Sequence, residues 1–369
     1  MERTANLEVA TWPAGRSARG QLNARLFVSV LLGCALLSAG LASWLPLQVS
    51  IVTVFLFAGP HNWFELRYFL MRLPVRFGRS RSFFLVAFAG IGLLTITYLS
   101  LPVLYSFGIA SGDGWSTILA SWNTLLLLWL ALLVWLRGKQ KLRRDWSWAF
   151  AAALGLVSLN WLRPEFFSLA IVYLHPLVAL WFLDRHLRRA RPEWLGAYRR
   201  CLCLLPLLLA GMIWQLTRTP SLPDDNGLFW RITQHAGAEL LPGVSSRLLV
   251  SVHLFLEMLH YAVWLLALPL IEPLTRSATQ PKTMETQPRP RLNSGQLSAR
   301  RIWNVKTVPL ARHPRGFPRL VATTLAFGVF LVAILWFGFA VDYSTTRDVY
   351  FTVAIAHVLA EAPFLLKML

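Results

Sequence analysis

Residues 247–271 read RLLVSVHLFLEMLHYAVWLLALPLI, and this stretch decides the fold class. It is mainly apolar and exceeds the roughly 20 residues that a helix needs to cross a bilayer. His253, Glu257 and His260 stand at i, i+4 and i+7, so they share one stripe of that helix. Ionisable side chains in hydrocarbon cost roughly 2.5–3.5 kcal/mol each and almost always face a protein interior. The stretch therefore predicts an all-α membrane bundle that encloses polar side chains.

Apolar stretches of this kind recur along the whole chain. It has 369 residues, of which 56% are hydrophobic and 14% charged, beyond the balance of a soluble domain. We predict a polytopic integral membrane helix bundle with about ten transmembrane helices. The predicted spans are 26–45, 47–70, 83–107, 115–136, 147–162, 166–184, 201–216, 247–271, 318–341 and 349–366.

The distribution of basic residues predicts how the bundle is oriented. The net charge is +19, and Arg3, Arg16, Arg19 and Arg25 precede the first predicted span. Threading ten spans from a cytoplasmic N-terminus leaves only five of the 36 Lys and Arg residues outside: Arg163, Arg218, Arg231, Arg247 and Arg347. Because cytoplasmic loops carry the excess of Lys and Arg, we predict an N-in, C-in protein of the cytoplasmic (inner) membrane of a bacterium. The charge indicates membrane lipid as a partner and excludes nucleic acid.

The same threading divides the chain into four parts. Residues 1–25 form a basic cytoplasmic N-terminus, and 26–272 hold helices 1–8 with an outer loop at 217–246. Residues 273–317, rich in Pro, Gln, Ser, Thr and Arg, are predicted to be a disordered cytoplasmic loop before helices 9–10 at 318–369. Within the outer loop, Gly227–Leu241 carries enough apolar residues to form a short helix or lid along the membrane surface.

Three further histidines lie inside predicted spans. Residues 57–73 read FAGPHNWFELRYFLMRL, where Gly59 and Pro60 are expected to interrupt the helix and His61 and Glu65 lie one turn apart. The last span repeats this spacing with His357 and Glu361. His175 stands mid-span before Pro176. Each His–Glu couple could instead be an internally paired structural element.

The four span histidines are predicted to converge. At about 1.5 Å per residue, His61, His175, His260 and His357 lie within roughly 9 Å of one another in depth. Imidazoles and carboxylates facing inward from several helices form the ligand set of a transition-metal site. We predict these four histidines as metal ligands. The residues predicted to orient the rings or to complete the ligand shell are Glu65, His253, Glu257 and Glu361.

The remaining histidines are predicted to be solvated. His186 and His313 stand among arginines, and His235 falls in the outer loop. The chain has no phosphate-binding glycine loop, no GxSxG, no zinc-ligand spacing and no HxxHH box. A metal centre is therefore the chemistry that the sequence favours.

The element around His61 resembles one in the bacteriorhodopsin-related-protein/Blh family, the membrane β-carotene dioxygenases of bacteria and archaea. Members of that family are polytopic and carry a Pro-His-x-x-x-Asp element. The segment Pro60-His61-Asn62-Trp63-Phe64-Glu65 is similar, with glutamate in place of aspartate. The resemblance implies iron held by membrane histidines, dioxygen as co-substrate, and a long polyene or another isoprenoid as substrate.

Two functions of different classes follow from these residues. The first is a membrane oxidoreductase with non-haem iron, an iron-dependent oxygenase acting on a lipidic, isoprenoid or carotenoid-like substrate. The second is a multi-pass transporter or a haem-binding subunit. In the transporter the break at Gly59–Pro60 would mark a midplane binding site, and the His–Glu pairs would form a proton path.

Overall fold

The computed structural model describes residues 15–108, 113–141, 145–223, 227–271, 304–314 and 316–369. All regular structure in these residues is helical. The helices are α1 (Gly15–Trp44), α2 (Pro46–Arg72), α3 (Arg81–Ser106), α4 (Asp113–Gln140), α5 (Trp148–Leu162), α6 (Pro164–Ala190), α7 (Pro192–Leu216), α8 (Gly227–His235), α9 (Ser246–Ala262), α10 (Pro318–Val341) and α11 (Tyr343–Met368). A π-helical turn, Val263–Ala267, continues α9.

Eight helices of the described chain are long and apolar enough to cross a membrane. They are α1, α3, α4, α6, α7, α9 with its π-helical turn, α10 and α11. The prediction of an all-α protein with many helices able to span a membrane is therefore confirmed for the described residues. The two other predicted spans coincide with α2, which is 27 residues long but carries several polar residues, and with α5, which has 15 residues.

Helix α2 is continuous, so the predicted interruption at Gly59–Pro60 is wrong. Pro60 lies inside the helix, where it removes a single backbone N–H. The hydrogen bonds on either side of this position keep the helix intact. Gly59 serves close packing instead, because a Cβ added there would lie 3.0 Å from a methyl group of Val332 on α10.

Helices α2, α6, α9 and α11 pack against one another around the centre of the bundle. Helices α1 and α7 pack against the other side of α9, while α3 and α4 pack against α11. A layer of buried aromatic rings joins α2 to its neighbours, and Phe69 stacks on Phe364 with ring centroids 4.3 Å apart. Trp264, in the π-helical turn after α9, is 1% exposed and packs on Tyr68 and Phe182. This layer closes the bundle on one side of the site.

The short helix α5 is tied to α4 by buried amide side chains. Asn123 Nδ2 donates to Asn160 Oδ1 at 2.8 Å and to the Pro164 carbonyl at 3.2 Å. Asn160 Nδ2 in turn donates to the Ala120 carbonyl at 2.9 Å. Interhelical hydrogen bonds of this kind hold apolar helices together in a bilayer. Burial of apolar surface does little there to favour a neighbouring helix over lipid.

The connecting segments are partly folded. The predicted outer-loop helix is α8, whose Ile232 is buried beside Leu47 and Leu249. Of the predicted inner loop, 272–303 lies outside the described residues, as do residues 1–14 of the N-terminus. Residues 304–314 contain two short helical turns in which Val308 and Ala311 are buried, so the expected disorder does not extend over them.

Candidate metal centre

Four helices each deliver one imidazole to the centre of the bundle. His61 lies on α2, His175 on α6, His260 on α9 and His357 on α11. Ring centroids are 5.3 Å apart for His61 and His260, 5.3 Å for His61 and His357, 4.7 Å for His175 and His260, and 5.0 Å for His175 and His357. The structure thus brings the four sequence-predicted histidines together. We call this group the four-histidine cluster.

The nitrogens of this cluster have the spacing of ligands to one ion. His175 Nε2 and His357 Nε2 lie 3.2 Å apart. Two nitrogens bound tetrahedrally at about 2.0–2.1 Å would be separated by about 3.3–3.4 Å. Ligand atoms of His61, Glu65, His260 and His357 all lie within 4.8 Å of one another, and those of His175, His260 and Glu361 form an overlapping group.

At Nδ1, one ring makes a hydrogen bond to a backbone carbonyl, and a second ring lies beside a carboxylate. His61 Nδ1 lies 2.9 Å from the Phe57 carbonyl one turn earlier, and His175 Nδ1 lies 3.0 Å from Glu361 Oε2. A donor at Nδ1 leaves Nε2 unprotonated and free to bind a cation, which is the usual arrangement of metal-ligating histidines. Glu361 therefore contacts the cluster through His175, as a residue that positions the ring.

Glu65 is the most unusual side chain of the site. It is 0% exposed, and neither carboxylate oxygen has a hydrogen-bond partner among the described residues. Both nitrogens of His260, which is 2% exposed, also lack a partner. Burying such groups without partners costs several kcal/mol each. A cation bound between Glu65 and the imidazoles would remove that cost, so the residues present fit a metal ion.

Glu257 and His253, the other predicted participants, lie beside the ligand groups. Glu257 Oε1 accepts a hydrogen bond from the Tyr261 hydroxyl at 2.7 Å, and the Tyr261 ring lies 4.5 Å from that of His61. Glu257 is thus linked to the cluster through Tyr261, and it lines the same cavity as the four imidazoles. His253 faces His235 with ring centroids 5.1 Å apart, and it lies two turns before His260 on the same face of α9.

Two histidines predicted to be solvated are not. His186 is buried, with Nδ1 2.7 Å from Arg72 Nη2. His235 ends α8 and is half-buried against Phe351, with ring centroids 4.3 Å apart. Burial lowers the pKa of His235 well below its usual range, and His253 and Arg347 act in the same direction. His313 is exposed, as predicted.

Sequence reasoning missed Arg347 and Tyr261. Arg347 was assigned to an outer loop because the last span was predicted to begin at 349. Helix α11 begins at Tyr343 instead, so Arg347 lies inside the bundle and is 4% exposed. Tyr261 adjoins His260 in the sequence, but the apolar pattern does not distinguish it from a residue that only packs.

A cavity of about 340 Å³ opens from the four-histidine cluster. All four imidazoles line it at one end, and His235 and His253 line it at another. Apolar residues of α6 and α11 line the wall between them, including Leu169, Val172 and Ile355. Small-molecule sites are mostly apolar clefts of about 300–1,000 Å³ with a few convergent polar groups, and this cavity has that character.

The backbone is irregular directly after His260. The Val263 N–H reaches the carbonyls of both Leu259 and His260, and the π-helical turn follows. Such turns are rare and occur frequently at functional sites, because they shift the side chains of one helix relative to its neighbours.

No protein-family profile, no curated protein and no solved structure matches this chain significantly. The functional assignment therefore rests on the geometry of the site.

Proposed function

We propose that this protein is a membrane-embedded oxidoreductase with one non-haem iron ion at the four-histidine cluster and a hydrophobic small molecule as substrate. The observation that carries the proposal is the 3.2 Å separation of His175 Nε2 and His357 Nε2 beside a buried Glu65 without hydrogen-bond partners. Iron would supply one-electron chemistry and activation of dioxygen, as in other non-haem iron oxygenases.

The charge of the donor set supports a single divalent ion. Four neutral imidazoles and the carboxylates of Glu65 and Glu361 carry a formal charge of −2. One divalent cation neutralises this set in a region where net charge is expensive. Histidine and carboxylate ligands together suit iron, although imidazole alone also suits zinc and copper.

The cavity supports an apolar substrate. Its lining on α6 and α11 includes the apolar residues Leu169, Ile171, Val172, Ile355 and Val358. The resemblance of Pro60–Glu65 to the Blh element favours an isoprenoid or carotenoid-like molecule and an oxygenase reaction. In that role the protein's residues would hold the molecule against the cluster and exclude water from it.

The geometry favours this proposal over a haem-binding subunit or a transporter. Ring centroids between 4.7 and 6.4 Å leave no width for a porphyrin among the four imidazoles. The transporter hypothesis placed its binding site at a broken helix at Gly59–Pro60 and its proton path on the His–Glu pairs, and α2 is continuous at Gly59–Pro60.

We also propose that α2 and α5 cross the membrane with the eight longer apolar helices. Ten crossings would put both ends of the chain in the cytoplasm and would leave most of the basic residues there, as the positive-inside rule requires. The inner membrane of a bacterium is the proposed location.

Metal analysis of the detergent-purified protein, combined with an optical spectrum, tests the proposed function. We expect about one iron per chain and no Soret band. An iron-free protein, a zinc-only protein that does not take up ferrous iron, or a haem spectrum would each overturn it.

A further inference from the structure

The cavity has a second polar end, which is formed where α8, α9 and α11 meet. We group His235 and His253 with Arg347, which is not a lining residue but contacts Phe351, and call them the α8 end of the cavity. His235 and His253 line the cavity, and their ring centroids are 5.1 Å apart. The Arg347 guanidinium lies 4.6 Å from the centroid of the Phe351 ring, which also lines the cavity.

This end is rich in hydrogen-bond donors and poor in free acceptors. Arg347 is 4% exposed, and its Nε has no partner among the described residues. The Asp348 carboxylate lies 4.0 Å from Arg347 Nη1 and already pairs with Arg231. Glu257, the other acid of this region, accepts the Tyr261 hydroxyl. The Nε–H of the buried Arg347 therefore lacks an acceptor in the described part of the chain, and two imidazoles lie near it.

Arg347 lies near the start of α11 and is buried among helices, and ionisable groups buried in a membrane protein are costly to retain and often mark a functional site. Arginine is always charged and binds planar oxygen groups with its parallel N–H donors. Each neutral imidazole also offers one N–H donor. A carbonyl or carboxylate oxygen matches this set, whereas a hydrocarbon end or a cation does not.

We infer that the α8 end binds the carbonyl or carboxylate group of an otherwise apolar molecule, whose chain lies along α6 and α11 and reaches the four-histidine cluster. This inference deepens the proposed function, because it gives the substrate a polar terminus and a fixed direction in the cavity. The reacting part of the molecule is then the part remote from that terminus.

The test uses three fluorescent probes that share one fluorophore: diphenylhexatriene, its propionic acid derivative, and the methyl ester of that acid. Energy transfer from tryptophan, with Trp122 in the cavity wall, reports binding to the detergent-purified protein. We expect the acid, the ester or both to bind about 10- to 100-fold more tightly than the hydrocarbon, the usual worth of a hydrogen bond to a charged group. Preference for the acid alone identifies a carboxylate, and equal binding of acid and ester identifies a carbonyl.

Arg347→Gln and His253→Leu should remove this preference while the hydrocarbon still binds, which shows that the cavity is intact. Arg200→Gln, an exposed arginine on α7, should keep it. Equal binding of all three probes to the wild type, or an unchanged preference in both cavity variants, would overturn the inference. The measurement needs no metal, so its result is independent of whether iron is found.

Discussion

His175 Nε2 lies 3.2 Å from His357 Nε2, while His175 Nδ1 lies 3.0 Å from Glu361. Because Glu361 is one turn after His357 on α11, one helix both faces the ring of His175 and fixes its orientation. The His-x-x-x-Glu spacing of the last helix therefore acts across two helices and does not form a pair within one. Helix α11 therefore supplies both a candidate ligand, His357, and a residue that supports the neighbouring ligand His175, namely Glu361.

His260→Ala should abolish metal binding. His260 belongs to both candidate ligand groups, so its loss leaves neither complete. Metal content per chain, measured after purification in detergent, checks this. The exposed His313→Ala is the matched control and should retain full metal content. Equal metal in the two variants would contradict the assignment of the cluster.

Glu65→Gln should weaken metal binding and yet stabilise the metal-free protein. Without metal, the wild type buries an unpartnered carboxylate, and the neutral amide reduces that cost. Unfolding temperatures with and without a chelator, together with metal titrations, measure the two effects. Lower stability of Glu65→Gln in the chelated state would instead indicate a structural role for the carboxylate.

Glu361→Gln should lower metal affinity by about 10–100-fold, the usual effect of changing a group that orients a ligand. The amide oxygen can still accept from His175, so binding should weaken without disappearing. Metal titrations of Glu361→Gln and His175→Ala in parallel provide the comparison. A complete loss of metal in Glu361→Gln would mean that this carboxylate is itself a ligand.

Gly90→Ala should destabilise the protein by about 1–3 kcal/mol, the usual cost of overpacking. A Cβ at Gly90 would lie 1.9 Å from Trp129 Nε1, which donates to the Val86 carbonyl at 3.0 Å. Gly92→Ala, in the same helix but with open space around its Cβ, is the control and should be neutral or stabilising. Thermal unfolding in detergent distinguishes the two, and similar values would refute the packing of α3 on α4.

A fluorescent protein fused after Arg291 should fold and fluoresce, because the segment between α9 and α10 is proposed to lie in the cytoplasm. An alkaline phosphatase fusion at the same residue should be inactive, since that enzyme needs the exported side. Active phosphatase and a dark fluorescent fusion would reverse the proposed orientation.

The sequence by itself determined the membrane class, the helices and the identity of the central histidines. Long apolar runs have few alternatives to helices in a bilayer, and polar residues at helical spacing have no partner in lipid, so both signals are strong. The spacing of His61 and Glu65, of Glu257 and His260, and of His357 and Glu361 therefore located three of the four helices that form the site, and the mid-span His175 located the fourth.

Only the tertiary structure decided which side chains meet. Position along α9 separates His260, in the cluster, from His253, which lies two turns earlier on the same face and packs against His235. The start of α11 at Tyr343 placed Arg347 inside the bundle, and hydropathy could not predict this because the first turn of the helix is polar. Helix α2 continues through Pro60, and Gly59 packs closely against Val332, a contact between residues more than 250 positions apart. Spacing along a helix fixes a face, but the neighbours that this face meets are set by how the helices pack.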